Sequence, residues 1–158
     1  MITGDRNWNP SQLADRVVTS LHKKYGDGLT LVIGDCKGID ATFAEACIQY
    51  GVNFERFEAD WSNVTRPGAV VRKRKDGTLY DAAAGPERNR KMIASGVDLC
   101  LAFHPHLSIS KGTKDAVNQC LKAGIPTWWC WDESEPPVQQ RLPKPVETMV
   151  ADLFEDRS

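Results

Sequence analysis

The sequence predicts an α/β domain: a mostly parallel central sheet between layers of helix. Three observations carry that expectation. Short continuous apolar runs, such as residues 29–33 (LTLVI) and 98–103 (DLCLAF), have the length and composition of strands buried on both faces. Between them lie stretches with apolar residues three and four apart, so strand and helix alternate almost without exception, as parallel crossovers require. A chain of 158 residues, 41% hydrophobic and 26% charged, has the size and composition of one ordinary globular domain.

The elements follow in order. Only Met1-Ile2-Thr3 precedes Gly4, so the first strand is shorter than usual; either it is stunted or the natural start lies upstream. Leu13, Val17 and Leu21, with Ala14 and Val18, repeat at helical spacing, with Asn9 as N-cap, Pro10 in the first turn and Gly26 at the end. The run 29–33 is the second strand. Ile39, Phe43, Ala46, Cys47 and Tyr50 form a second amphipathic helix closed by Gly51, and residues 53–59 (NFERFEA) alternate like a strand. Pro86 opens a third helix (PERNRKMIAS), and DLCLAF follows as a strand. Residues 112–123 make a fourth helix with Ala116, Val117, Cys120 and Leu121 on one face, and TWWCW after Pro126 is the last strand.

Two regions interrupt the alternation. Within an insertion at 64–83, residues 66–80 (RPGAVVRKRKDGTLY) read as a β-hairpin turning at Asp76-Gly77 and carrying Arg66, Arg72, Lys73, Arg74 and Lys75. Its simplest role is a solvated excursion; the alternative is a lid over a site or a contact to an acidic surface. Residues 131–158 form an acidic, proline-containing extension to the 1–130 domain, with a short helix at 146–154, and are candidates to dock on the basic hairpin.

A net charge of −1 argues against a general nucleic-acid coat. Five cysteines (36, 47, 100, 120 and 130) without CxxC spacing, four of them in apolar runs, read as reduced thiols. His104 and His106 are too few for a metal site, so no metal and no cofactor is expected. No stretch has the apolar length to span a membrane, so no membrane partner is expected and the cytoplasm is the expected location.

In an open parallel sheet the ligand lies beyond the carboxyl ends of the strands. The loops expected there read TGDRNW (3–8), GDCKGID (34–40), ADW (59–61), AGPERNRKM (84–92) and AFHPHLSISKGTKDA (102–116). Helix starts favour anions, so Gly34, Lys37 and Gly38 in the second loop, and Ser110, Gly112 and Thr113 in the last, are phosphate candidates. The structural alternative for Ser110 or Thr113 is an N-cap. Arg6 and Arg88 can grip a phosphate or carboxylate bidentately, the alternative being an internal ion pair with Asp40 or Asp60. Asp40 and Asp60 are the carboxylates placed to meet a ribose or an oxocarbenium-like centre, Asp40 having the alternative of a helix-start charge. Trp8 and Trp61 either stack on a base or pack. Cys36, without a patterned histidine, is a poor nucleophile.

Taken together, a G-S/D-R-x-W start, a GD-C-x-G-x-D turn, an A-D-W, an A-G-P-x-R-N and an S-x-G-T-x-D-A in this order resemble the SLOG superfamily, in its YspA-like (cpYpsA-related) branch. That superfamily is related to lonely-guy phosphoribohydrolases and DprA. The resemblance covers roughly residues 1–130. It implies a Rossmann-like three-layer sandwich that binds a nucleotide or nucleotide-derived small molecule at the sheet's C-terminal edge. Two alternatives stand beside this: an N-glycosidic hydrolase or transferase, and a nucleic-acid or protein-binding module. It also implies a homo-oligomer, such as a dimer. Carried over by position, Gly4, Asp5 (where serine is more usual) and Arg6 match the first motif, and Gly34, Asp35, Gly38 and Asp40 the second. Gly85, Arg88 and Asn89 match the fourth, and Ser110, Gly112 and Thr113 the last. The phosphoribohydrolases place a catalytic glutamate where this chain has Ala116. Asp115, one residue earlier and turned by about 100° on a helix, is the remaining catalytic candidate beside Asp40 and Asp60.

Overall fold

In the computed structural model, which describes residues 1–143, the expected alternation is present. The strands are β1 (Ile2–Gly4), β2 (Thr30–Ile33), β3 (Asn53–Arg56), β4 (Val71–Lys73), β5 (Leu79–Asp81), β6 (Cys100–Phe103), β7 (Thr127–Cys130) and β8 (Val138–Gln140). The helices are α1 (Ser11–Tyr25), α2 (Ile39–Tyr50), α3 (Ala84–Ala94) and α4 (Gly112–Lys122). Six strands form one sheet in the order β3-β2-β1-β6-β7-β8, parallel except for β8, and β4 and β5 form a separate antiparallel pair. The fold is therefore Rossmann-like α/β.

From β1 the chain builds outward through β2 and β3, then returns to the other side of β1 for β6 and β7. The order reverses between β1 and β6, and the loops leaving their carboxyl ends must diverge there, which opens a crevice. β1 is short, as expected, yet paired on both sides: Ile2 lies opposite Ile33 and Leu101, Thr3 opposite Ala102, and Gly4 opposite Phe103.

The main core lies where α1 and α2 meet the sheet, around Ile2, Val18, Ile33, Ile39, Phe43 and Phe103. The Phe43 and Phe103 rings sit 4.7 Å apart in a tilted pair. A smaller cluster of Ala102, Leu107 and Val117 joins α4 to β6. All five cysteines are free thiols; four are buried and Cys36 is half-buried.

Three boundaries differ from expectation. Pro10 is itself the N-cap of α1, whose first helical bond runs from the Ala14 amide to the Pro10 carbonyl, while Asn9 accepts the Ser11 amide instead of capping. α3 starts at Ala84, two residues before Pro86, because a proline without an N–H is tolerated anywhere in a first turn whose donors lack helical partners. β8 was not expected: VQQ is short and follows two prolines, but it pairs antiparallel with β7, Gln140 opposite Thr127. The extension thus adds an edge strand to the sheet; the helix expected at 146–154 lies outside the described residues.

Candidate functional site

A cavity of about 490 Å³ opens at the carboxyl ends of β1 and β6. All five expected segments reach it. Gly4, Asp5 and Arg6 come from the β1 exit, Cys36 and Asp40 from the turn into α2, and Trp61 from the loop after β3. The start of α3 supplies Gly85, Arg88 and Asn89, and the start of α4 supplies Ser110, Gly112 and Thr113. Seven expected residues do not line it: Trp8, Gly34, Asp35, Lys37, Gly38, Asp60 and Asp115.

The reasons are physical. Gly38 has φ +78, and a Cβ there would run into the backbone of Asp5 and Arg6, so the turn presses directly against the β1 exit. Two of its amides are used internally: that of Ile39 donates to the Asp5 carbonyl at 3.1 Å, and that of Cys36 to Asp40 Oδ2 at 3.2 Å. Gly34 is buried, and a Cβ on it would stand 2.5 Å from Asp40 Oδ2 and collide with Arg88; it lets those two side chains close over the end of β2. Lys37 points to solvent. Gly34, Lys37 and Gly38 do not line the cavity; their turn is a brace against the β1 exit, with the Cys36 and Ile39 amides bonded internally.

Asp35 belongs to the same brace. Its Oδ1 accepts Arg88 Nη1 at 2.7 Å and its Oδ2 accepts the Ala59 amide at 3.2 Å, which joins the loops after β2 and β3 to α3. The ion pair expected between Arg88 and Asp40 or Asp60 is therefore made with Asp35. Asp60 is exposed and accepts only the Ser62 hydroxyl among the described residues. Trp8 packs against the main core. Asp115 accepts Asn89 Nδ2 at 2.9 Å and Gln119 Nε2 at 2.8 Å, and so ties α3 to α4 outside the cavity. Neither Asp60 nor Asp115 is placed to do chemistry there.

Asp40 is 6% exposed and lines the cavity. Burial pushes its pKa from 3.8 to about 6; the Arg88 charge, the Cys36 amide and Arg56 pull it back, while Asp35 adds to the rise. A carboxyl titrating near there can both hold and release a proton close to neutrality. His104, in the loop after β6, is displaced downward by burial and by His106, against the pull of Asp5; its Nδ1 accepts the His106 amide and it does not line the cavity.

At the start of α4 the Ser110 hydroxyl accepts the Thr113 amide at 3.1 Å, so Ser110 is a cap from the inside, and Thr113 is buried. Beside them Lys111 lines the cavity, as does Arg6 from the β1 exit. Neither makes an ion pair among the described residues. Trp61 lies across the start of α3, its Cη2 only 2.9 Å from where a Cβ on Gly85 would be, so Gly85 is the floor under an indole ring.

The hairpin supplies what sequence reasoning missed: Arg72 and Tyr80 line the cavity. Its base rests on Asp81, which is fully buried. Asp81 Oδ1 accepts the Val70 and Ala83 amides at 2.8 and 2.9 Å, and Oδ2 accepts Arg66 Nε at 2.6 Å. Burial opposes ionisation of Asp81, but those two amides and Arg66 outweigh it and hold its pKa below the ordinary carboxylate value. The signal for Arg72 and Tyr80 was present as strand alternation; nothing local marked Asp81.

Residues 1–63 match the model of the YspA, cpYpsA-related SLOG family. The gene 61 protein of Mycobacterium phage D29 is 32% identical over 132 residues, a match covering 80% of this chain and 90% of that protein. The crystal structure of DNA processing protein A (DprA) from Streptococcus pneumoniae is similar in fold, with a TM-score of 0.55 at 16% identity; the match covers 99% of this chain but 56% of that one. Among the described residues no helix is long and apolar enough to cross a membrane. The chain belongs to the YspA, cpYpsA-related SLOG family.

Proposed function

We propose that this family member binds a nucleotide or nucleotide-derived ligand in the cavity between β1 and β6. One observation supports the reading above others: a single cavity joins three cations without carboxylate partners among the described residues, Arg6, Arg72 and Lys111, to the start of a helix, a half-buried indole and a buried carboxyl. A phosphoryl group suits Arg6, Lys111 and the Gly112 end of α4, where helix amides and cations favour an anion. A base suits the free face of Trp61, and ribose hydroxyls suit Asp40, an acceptor when ionised.

Thermal unfolding with nucleoside mono-, di- and cyclic phosphates tests this. At about one hundred times Kd a ligand stabilises by roughly 2.7 kcal/mol, which for a domain of this size raises Tm by about 5–10 °C. Nucleotides at millimolar concentration that leave Tm unmoved would refute it.

A second reading, cleavage or transfer at the N-glycosidic bond, is favoured by the pKa of Asp40 near 6. An ionised Asp40 beside C1′ would stabilise positive charge as the base departs, and water or another acceptor would take the ribosyl carbon. Chromatography for free base decides between them. Release that vanishes in Asp40→Asn while binding persists supports cleavage, and no release from any bound nucleotide leaves binding as the function. Retardation of DNA without nucleotide binding would favour a nucleic-acid module instead.

A further inference from the structure

We propose that the 64–83 insertion makes this cavity selective for nucleoside diphosphates over monophosphates, with Arg72 gripping the second phosphoryl group; the proposal rests on the nucleotide reading above.

The hairpin's two faces are distinct. Arg72 pairs across the ladder with Tyr80, while Val71 faces Asp81 and Lys73 faces Leu79. Because side chains alternate along a strand, Arg72 and Tyr80 share one face and Val71, Lys73 and Leu79 the other. The first face lines the cavity; on the second, Val71 and Leu79 are 48% and 51% exposed. A solvated excursion would have no reason to turn the cross-strand Arg72–Tyr80 pair to the cavity and its aliphatic residues to water.

The hairpin is also held in place. Besides the three bonds to the Asp81 carboxylate, the Asp81 amide donates to the Trp61 carbonyl and the Ala82 amide to the Val70 carbonyl, each at 2.8 Å. At the tip, Asp76 Oδ1 accepts the Thr78 amide at 2.9 Å and closes the turn. Arg74 lies 5.0 Å from the centre of the Tyr80 ring, which steadies the ring. These bonds hold the hairpin backbone against the cavity, so binding must order only the Arg72 side chain and not the strand that carries it.

Charge then selects the ligand. Arg6, Arg72 and Lys111 come from three different elements and pair with no carboxylate among the described residues. A monophosphate brings about −1.5 to −2 charges near pH 7, which Arg6, Lys111 and the start of α4 already meet. A diphosphate carries further negative charge on a second group, and Arg72 is the remaining free guanidinium lining the cavity.

The test is calorimetric titration of the full chain with ADP and AMP, in wild type and in Arg72→Ala, a substitution at an exposed residue that removes no internal bond described for the fold. Wild type is expected to prefer ADP by about tenfold or more, and Arg72→Ala to weaken ADP by about tenfold while AMP stays within about threefold. Arg72→Lys, which keeps the charge and loses the fork, should recover part of the preference. Equal loss for both ligands in Arg72→Ala, or an unchanged ADP preference, overturns the proposal and leaves the nucleotide reading standing. A wild type that binds neither ligand also overturns the proposal, and the thermal-unfolding series with other nucleotides then decides the nucleotide reading.

Discussion

Asp40→Asn should stabilise the protein, and more so as pH rises. The carboxyl is buried, and its pKa stands at about 6 against 3.8 for the ordinary group. A raised pKa in the folded state means that the fold binds the proton more tightly than the unfolded chain does. Stability from this group is therefore full below the unfolded value and is lost as pH climbs through the folded one, the reverse of a salt-bridged aspartate. Integrating between those two values gives a penalty of about 1 kcal/mol at pH 4.5 and about 3 kcal/mol at pH 7.5. Asparagine never ionises, and its side-chain oxygen can still accept the Cys36 amide. Urea unfolding of both proteins from pH 4.5 to 7.5 measures the difference, which should widen by about 2 kcal/mol in favour of the variant. A difference that stays flat with pH, or wild type more stable at pH 7.5, would show that Asp40 is not a desolvated carboxyl and would remove the support for proton transfer.

Gly34→Ala puts a methyl group into Arg88 and Asp40, and should cost about 1–3 kcal/mol in urea unfolding, whereas Gly28→Ala, with open space around it, should stay within about 0.5 kcal/mol. Asp81→Ala leaves the Val70 and Ala83 amides and Arg66 without their acceptor, and trypsin should then cut at Arg72 to Lys75 much faster than in wild type; equal cleavage rates would mean that the carboxylate does not hold the hairpin. Lys37→Ala should leave nucleotide affinity unchanged, because Lys37 lies outside the cavity, while Arg6→Ala should weaken it about tenfold; titration showing the opposite ranking would return the phosphate to the α2 turn.

Much of the fold was legible because its signals are local. LTLVI and DLCLAF are continuous apolar runs, and they became β2 and β6 in the sheet interior. The Asp76-Gly77 turn declared a hairpin, and Arg74 to Thr78 close it with their own backbone bonds. β8 was illegible because VQQ has no apolar face; its strand character comes from β7 beside it. The family model matches residues 1–63 and does not reach Arg72, Tyr80 or Asp81, and the motifs that carry the resemblance pass over the hairpin between ADW (59–61) and AGPERN (84–89).

The sequence by itself determined the alternation of elements, and with it which loops leave the carboxyl ends of a parallel sheet. Spacing along the chain carries that information. The strand order and the point where it reverses came from the tertiary structure. Nor could spacing determine which polar groups in those loops stay free. Gly34, Lys37 and Gly38 look as suited to phosphate as Ser110, Gly112 and Thr113 do, yet the first turn folds against the β1 exit and only the last three residues line the cavity. Asp35, Asp40, Asp60 and Asp115 are alike as letters, and became respectively a partner for Arg88, a buried carboxyl with a raised pKa, a solvated one and a clamp between two helices. Desolvation and hydrogen-bond competition act between residues distant in the chain, so only the tertiary structure assigned those roles.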